Sequence, residues 1–390
     1  MMKVNDRAVR MAAAFAAHYG DAPTLWTRAP GRVDLMGSHT DYNHGFILTM
    51  TIDRDTWVAA RPRTDRQIRV KSSDLGGETC FSLDAIEPDV NLSWANYVRG
   101  MARVFQDDGY PLRGFDAVIH TTVPVSAGLS SSAALEMAIG RMLEAAGDFT
   151  VDAVELAVLG QRAENHFVGV ACGILDQYTS AVGKAGCALL LDARTITSRD
   201  VPISEEIAVV ICDTHTKREL AGSEYGRRRA QCEEGAAYFA ARFPGVTHLR
   251  DITAAQFDAH VEALPTEVVK RCRFILDENE RVPALADALS AGDRAAIAAL
   301  TAASFAGARD LYEITSYEME AMMAAMLAAP GCIGARQAGA GFGGCMAAFV
   351  KKEAVPAFVT HVDGAYRAAT RIEPRIYPVQ AAAGAGAFQP

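Results

Sequence analysis

Several things are scarce in this chain, and each shortage excludes something. Of 390 residues, 38 are Lys or Arg against 47 Asp or Glu, a formal net charge of −9 at pH 7. That acidic balance argues against a nucleic-acid or anionic-membrane partner. No apolar run approaches the ~20 residues that cross a bilayer. The Ala-rich opening, Met1 to Tyr19, is interrupted by Asp6, Arg7 and Arg10 and lacks the continuous apolar centre of a secretory signal. The eight cysteines are scattered, with no Cys-x-x-Cys pair and no metal-like spacing to His. Buried free thiols in a reducing cytoplasm are therefore expected. No internal repeat is evident, and no Gly-Lys-Ser/Thr follows a glycine-rich turn, which excludes a P-loop. What remains, 50% hydrophobic and 22% charged, is a cytoplasmic chain of enzyme size with about two domains.

The most organised stretch is Val123 to Ala134, VPVSAGLSSSAA. It follows an alternating run, Phe115 to Thr122, that reads as a strand, and it enters an apolar stripe at helical spacing, Leu135, Ala138, Ile139, Met142 and Leu143. Gly128 and its small neighbours let the backbone approach a ligand closely. Ser130, Ser131 and Ser132 bring hydroxyls to the end of the helix that exposes unpaired N–H groups and favours an anion, phosphate being the usual one. The plain alternative is that the serines only cap the helix.

A second dense stretch runs from Arg28 to Gly45 and reads as loop-rich, preceded by a short strand at Thr24 to Thr27 and followed by strands Phe46 to Ile52 and Trp57 to Arg61. Asp41 can accept two hydroxyl hydrogen bonds, His39 can donate and accept, and Arg32 supplies a fixed cationic fork. Such a set suits a sugar or polyol. His39 and His44 as metal ligands, and Asp41 and Asn43 as plain turn residues, are the other readings. Trp94 and Tyr97 share a helix face and can flank a base or pack in the core. Glu164, ending a helix from Val151, can reach a metal near phosphates or lie solvated. Asp176, in the turn Cys172 to Ser180, is either a helix cap or a carboxylate placed to take or orient a proton. Strand Ile207 to Asp213 leads into the charged stretch Thr214 to Glu219, and Arg227, Arg228 and Arg229 read as a solvated face. A methionine-rich helix (Met319, Met322, Met323, Met326) reads as core. A glycine cluster, Gly339 to Cys345, precedes an apolar strand, and the tail from Ala381 to Pro390 reads as loosely held.

Read together and in order, these segments resemble the sugar kinases of the GHMP superfamily and, within it, the galactokinases. The resemblance covers nearly the whole chain. It is carried by GRVDLMGSHTDYN from Gly31 to Asn43, by Pro124-x-x-x-Gly128-Leu129-Ser130-Ser131-Ser132-Ala133, and by Gly339 to Cys345. Two narrower matches are Trp94 to Val98 and Cys172 to Gln177. The resemblance implies a two-lobed α/β (α+β) fold, with an N-terminal lobe of ribosomal-protein type over residues 1–205, a ferredoxin-like C-terminal lobe over 206–390, and the active site between them. It implies ATP and Mg2+ as cofactors, with phosphates on the loop that includes Ser126, Gly128, Leu129, Ser130, Ser131, Ser132 and Ala133. The base would lie near Trp94 and Tyr97, and the metal on Ser132 and Glu164. Asp176 matches the group at the anomeric hydroxyl, with Arg32 beside it keeping it ionised and orienting the acceptor oxygen. Ser38, His39, Asp41, Gly173 and Tyr225 match sugar-binding positions. The implied partners are a small-molecule sugar and ATP, with no nucleic acid and no membrane, in a monomer or weak oligomer.

Three departures from the family pattern carry information. Galactokinases have Glu where this chain has Ser38, Asn where it has Asp34, and Met-Thr where it has Gln337-Ala338. Losing the carboxylate that meets the hydroxymethyl end of galactose favours a sugar such as L-arabinose, or a galactose altered at C6. The expectation is therefore a 1-kinase for galactose or a galactose-like aldose, with an L-arabinose-type kinase as the competing reading. A sugar and ATP sensor without turnover is a third reading, against which the intact serine loop, Arg32 and Asp176 stand.

Overall fold

The computed structural model describes residues 4–170, 172–216 and 221–390, with side chains left aside at 4–5 and 221–223. Residues 217–219 of the charged stretch lie outside the described residues. The chain opens with α1 (Val4–Tyr19) and four strands, β1 (Leu25–Met36), β2 (Phe46–Pro62), β3 (Gln67–Ser72) and β4 (Glu78–Ser82). Helix α2 (Ala95–Asp107) and strand β5 (Phe115–Thr121) precede α3 (Ser131–Gly147), α4 (Ala153–Arg162) and α5 (Leu175–Val182). Strands β6 (Cys187–Asp192), β7 (Thr197–Pro202) and β8 (Ile207–Asp213) lead to five helices. These are α6 (Ala221–Ala240), α7 (Ala254–Asp258), α8 (Thr266–Ala291), α9 (Arg294–Asp310) and α10 (Tyr317–Ala328). The chain closes with β9 (Cys332–Gln337), β10 (Cys345–Lys351), α11 (Val355–Thr370), β11 (Arg375–Val379) and β12 (Gly386–Ala387).

Two compact units result. The first holds Met1–Arg32, Thr51–Ala185 and Ala382–Pro390, and the second Val33–Met50 and Gly186–Ala381. A single boundary at residue 205 does not describe them, because the long strands β1 and β2 pass from one unit to the other. The far ends of β1 and β2 belong with β6, where Phe46 faces Asp192 in antiparallel register. The segment from Arg28, read as loop, is thus strand as far as Met36, and β2 is one strand where two were expected.

In the larger sheet the order is β12-β1-β2-β5-β3-β4, with β6 on β2 and β7 on β6. The smaller sheet runs β11-β8-β10-β9, all neighbours antiparallel. Taking β8 to β11 as first to fourth, this is the 4-1-3-2 order of a ferredoxin-like βαββαβ unit. Met319, Met322, Met323 and Met326 of α10 lie in its core, where flexible thioethers fill gaps against Phe358 and Tyr366.

Further expectations change. The tail is tied down: Ala387 pairs with Thr27, and Phe388 packs on Trp26 and Trp57. Arg228 is buried, donating to the carbonyls of Tyr312 and Glu313, while Arg227 and Arg229 are solvated. A guanidinium with five donors suits a turn whose backbone carbonyls need partners, here the two that follow α9. All eight cysteines are free; Cys80 is exposed and Cys172, Cys187 and Cys332 are half-buried. No helix among the described residues is long and apolar enough to cross a membrane.

Candidate active site

In the first unit, the loop between β5 and α3 is built on left-handed backbone at Ser126, Gly128 and Ser130 (φ 62°, 80° and 57°). Ser130 occupies the N-cap position of α3, yet its hydroxyl does not cap the helix. It donates instead to Oδ2 of Asp176 at 2.5 Å. The capping-only reading therefore fails for Ser130. Strand β1 runs backbone to backbone against this loop. A Cβ at Gly31 would sit 2.6 Å from the carbonyl oxygen of Leu129, so only glycine fits there.

The next residue, Arg32, joins loop and carboxylate. Its Nη1 donates to the carbonyl of Gly128 at 2.7 Å. Its Nε and Nη2 donate to Oδ1 of Asp176 at 2.8 and 2.5 Å. Asp176 is in the first turn of α5, but Ile174 holds the cap position and the carboxylate is spent on Arg32 and Ser130. Its side chain is still 28% exposed, against 9% for Arg32. A carboxylate offers about four acceptor directions, and Arg32 and Ser130 fill three of them, so one remains for a further donor. Gly173 is half-buried in the bend three residues earlier.

Glu164 lies in a π-helical turn, Ala163–Val168, that continues α4. It is buried, and Gln177 Nε2 donates to it at 2.6 Å, as do Ser132 and the Cys172 thiol. The same Gln177 nitrogen donates to Glu136 Oε2 at 2.9 Å. Burial, then the charge of Asp176, push the Glu164 carboxyl above its ordinary pKa. Burial and the Glu164 charge push Glu136 well above its own. The same surroundings keep the Cys172 thiol protonated. Negative charge is thus crowded here in a way that a cation would relieve.

A cavity of about 530 Å3 opens in the same unit. Trp94, Tyr97, Ser126, Ser131 and Ser132 line it. Trp94 is anchored by a 3.1 Å bond from its indole N–H to the carbonyl of Gly76, so neither aromatic is plain core. Gly128, Leu129, Ser130 and Ala133 do not line the cavity; Leu129 and Ala133 are buried and Gly128 holds Arg32.

The second unit gathers Ser38, His39, Asp41 and Tyr225. Ser38 is buried, and its hydroxyl donates to Asp34 Oδ2 at 2.9 Å while accepting from Arg336 Nη2 at 3.1 Å. Arg336 also donates to Glu278 Oε1 at 3.1 Å and to Ser304 at 3.0 Å, and Ser304 donates to Glu278 at 2.8 Å. Asp34, Glu278 and Arg336 are all inaccessible to solvent. Two departures from the family pattern, Asp34 and Ser38, are therefore hydrogen-bonded to each other. Both ring nitrogens of His39 bond to protein oxygens, Tyr42 at 2.9 Å and the Ala340 carbonyl at 2.8 Å, which leaves none for a metal. Asp41 opens a short 3-10 turn, Asp41–Asn43, and the Tyr225 ring lies 5.2 Å from that of His39. His44 stacks on His248. Glu278 and Arg336 escaped the sequence reading. The available signal was a charge on the apolar face of α8, between Ile275 and Val282.

Models of the GHMP kinase N-terminal and C-terminal domains match residues 96–184 and 285–367. The mevalonate kinase of Methanococcus jannaschii shares the fold, with a TM-score of 0.65 at 16% identity over 92% of this chain and 98% of that one. The fold is that of a GHMP kinase. Residues 13–62 match the galactokinase galactose-binding signature. The chain is 43% identical over 374 residues to the galactokinase of Chloroflexus aurantiacus, covering 96% of this chain and 95% of that one. The crystal structure of Lactococcus lactis galactokinase complexed with galactose superposes with a TM-score of 0.90 at 33% identity, over 96% and 98% of the two chains. This chain belongs to the galactokinase family of sugar 1-kinases.

Proposed function

We propose that the chain moves the γ-phosphoryl group of ATP to the anomeric hydroxyl of galactose or a galactose-like aldose, with Asp176 receiving or orienting the hydroxyl proton. The observation that carries this reading is the carboxylate itself. Arg32 holds one oxygen, Ser130 the other, and more than a quarter of the side chain stays open. Arg32 also grips the serine loop, so carboxylate and phosphate cradle share one positioning residue. Phosphoryl transfer asks the protein mainly for such positioning and for charge stabilisation.

The donor set fits Mg2+. Glu164 and Ser132 are in contact beside the cavity that the loop serines line. Among the described residues no group of three or more His, Cys, Asp or Glu is placed to hold a metal. Two protein ligands, with phosphates and water completing the shell, is the usual arrangement for this hard cation. When bound, it would neutralise charge on the transferring phosphate. Trp94 and Tyr97 would flank the base, and Asp41 and Tyr225 would meet sugar hydroxyls.

A second reading, an L-arabinose-type kinase, draws on one observation. The Ser38 hydroxyl spends its proton on Asp34 and accepts from Arg336, so position 38 has little left to offer a hydroxymethyl group. A coupled ADP-release assay with ATP and Mg2+ over D-galactose, D-fucose, L-arabinose and D-galacturonate tests both. Fastest turnover of galactose supports the first reading, and a preference for L-arabinose or D-fucose the second. Turnover of none of these sugars by protein that binds ATP would sink both.

A further inference from the structure

The hydrogen bonds around His39 have a direction that proton counting fixes. His39 Nε2 lies 2.8 Å from the Ala340 carbonyl, which can only accept, so Nε2 carries a proton. Burial holds the imidazole pKa down to about 4, leaving the ring neutral at pH 7 and Nδ1 an acceptor. Tyr42 must then donate its one hydroxyl proton to Nδ1 at 2.9 Å. The 2.8 Å bond between the Tyr42 and Tyr312 hydroxyls therefore runs from Tyr312, and the 3.1 Å contact of Tyr312 with Cys232 runs from the thiol. The charged groups acting on the ring are Arg228, Arg336 and Glu278. His39 also has left-handed backbone (φ 68°), a costly conformation for a residue other than glycine unless its side chain is held.

We propose that Cys232, Tyr312 and Tyr42 form a one-way relay that locks His39 in its Nε2–H tautomer and so clasps the turn bearing Asp41 to the glycine-rich loop at Ala340. Tyr312, just after α9, and Cys232, on α6, are positioning residues for the sugar. The loop end of the clasp is itself held: Phe342 N donates to the Ile314 carbonyl at 2.8 Å, two residues beyond Tyr312. The kinetic part of this inference rests on the sugar reading of Asp41; the tautomer does not.

Two measurements on the full chain test it. Imidazole 15N spectra at pH 7 should show His39 with a protonated Nε2 and a bare, hydrogen-bonded Nδ1. A protonated Nδ1, or an imidazolium, would overturn the relay. In ADP-release assays on the best-turned-over sugar, Tyr312→Phe should raise the sugar KM about three- to ten-fold, the worth of one buried hydrogen bond, with kcat and the ATP KM within about two-fold. Cys232→Ala should raise the sugar KM in the same sense, and Cys232→Ser, which keeps a donor, should restore it. These cysteine variants carry the test if Tyr312→Phe does not fold. An unchanged sugar KM in the folded variants, or no rescue by serine, would overturn the positioning role. Absence of turnover on every sugar would count against the functional reading, while the 15N spectra still decide the relay.

Discussion

Asp176 in the first unit and Glu278 in the second are both carboxylates paired with an arginine, and they do opposite jobs. Asp176 accepts from Arg32 and Ser130 but keeps 28% of its side chain open. Glu278 accepts from Arg336, Ser304 and Arg281, and no part of it reaches solvent. An ion pair with acceptor capacity left over, beside the serine loop, can engage a substrate. An ion pair closed on all sides cannot; it fixes the geometry around it, at the cost of desolvating both charges. Residue type thus says little here, and access decides.

The contrast can be broken by substitution. Asp176→Asn keeps the size of the side chain and removes its charge and basicity. It should lower kcat about 10²–10⁴-fold, with a small change in stability, in steady-state assays paired with a melting curve. Wild-type activity across a pH–rate profile would remove Asp176 from both proposed roles. Glu278→Gln should do the reverse. Arg336 would remain buried with Asp34 4.0 Å away as its nearest remaining countercharge, and urea unfolding should show a loss of about 3–5 kcal/mol. A loss below about 1 kcal/mol would mean that Asp34 compensates and that the closed cluster is more tolerant than its burial implies.

A pH titration of stability sharpens the same contrast. Burial lowers the His39 pKa from 6.5 to about 4. Between those values the unfolded chain binds a proton that the folded chain refuses, so stability falls as pH drops through that window and levels off below it. The loss from this group is about 3 kcal/mol in all. His39→Gln should flatten that part of the curve, and an unaltered slope would show that other groups dominate acid unfolding.

Some of this is legible in the sequence alone. The serine loop, the signature from Gly31 to Asn43 and the glycine cluster are contiguous, so their small residues, special backbone angles and flanking periodicity can be read along the chain. The methionine stripe of α10 was legible for the same reason: a helix face is a local pattern. The sequence by itself therefore determined the family, the motifs that carry it and the residue types at the site, but not the edge strands β4, β7, β9, β11 and β12 or the strand character of the segment from Arg28 to Met36.

Tertiary structure decided what each of those residues bonds to, because their partners lie far away in the chain. Ser130 was as good a cap as a ligand until Asp176, 46 residues on, accepted its hydrogen bond. Arg32 reaches Asp176 across 144 residues, and Arg336 reaches Ser38 across 298. The tail looked loose by composition and is held by Thr27, Trp26 and Trp57, whose place beside it only the folded sheet defines. Local sequence sets backbone propensity and chemical type. Burial, countercharge and the direction of a shared proton belong to pairs of residues, and only the fold brings those pairs together.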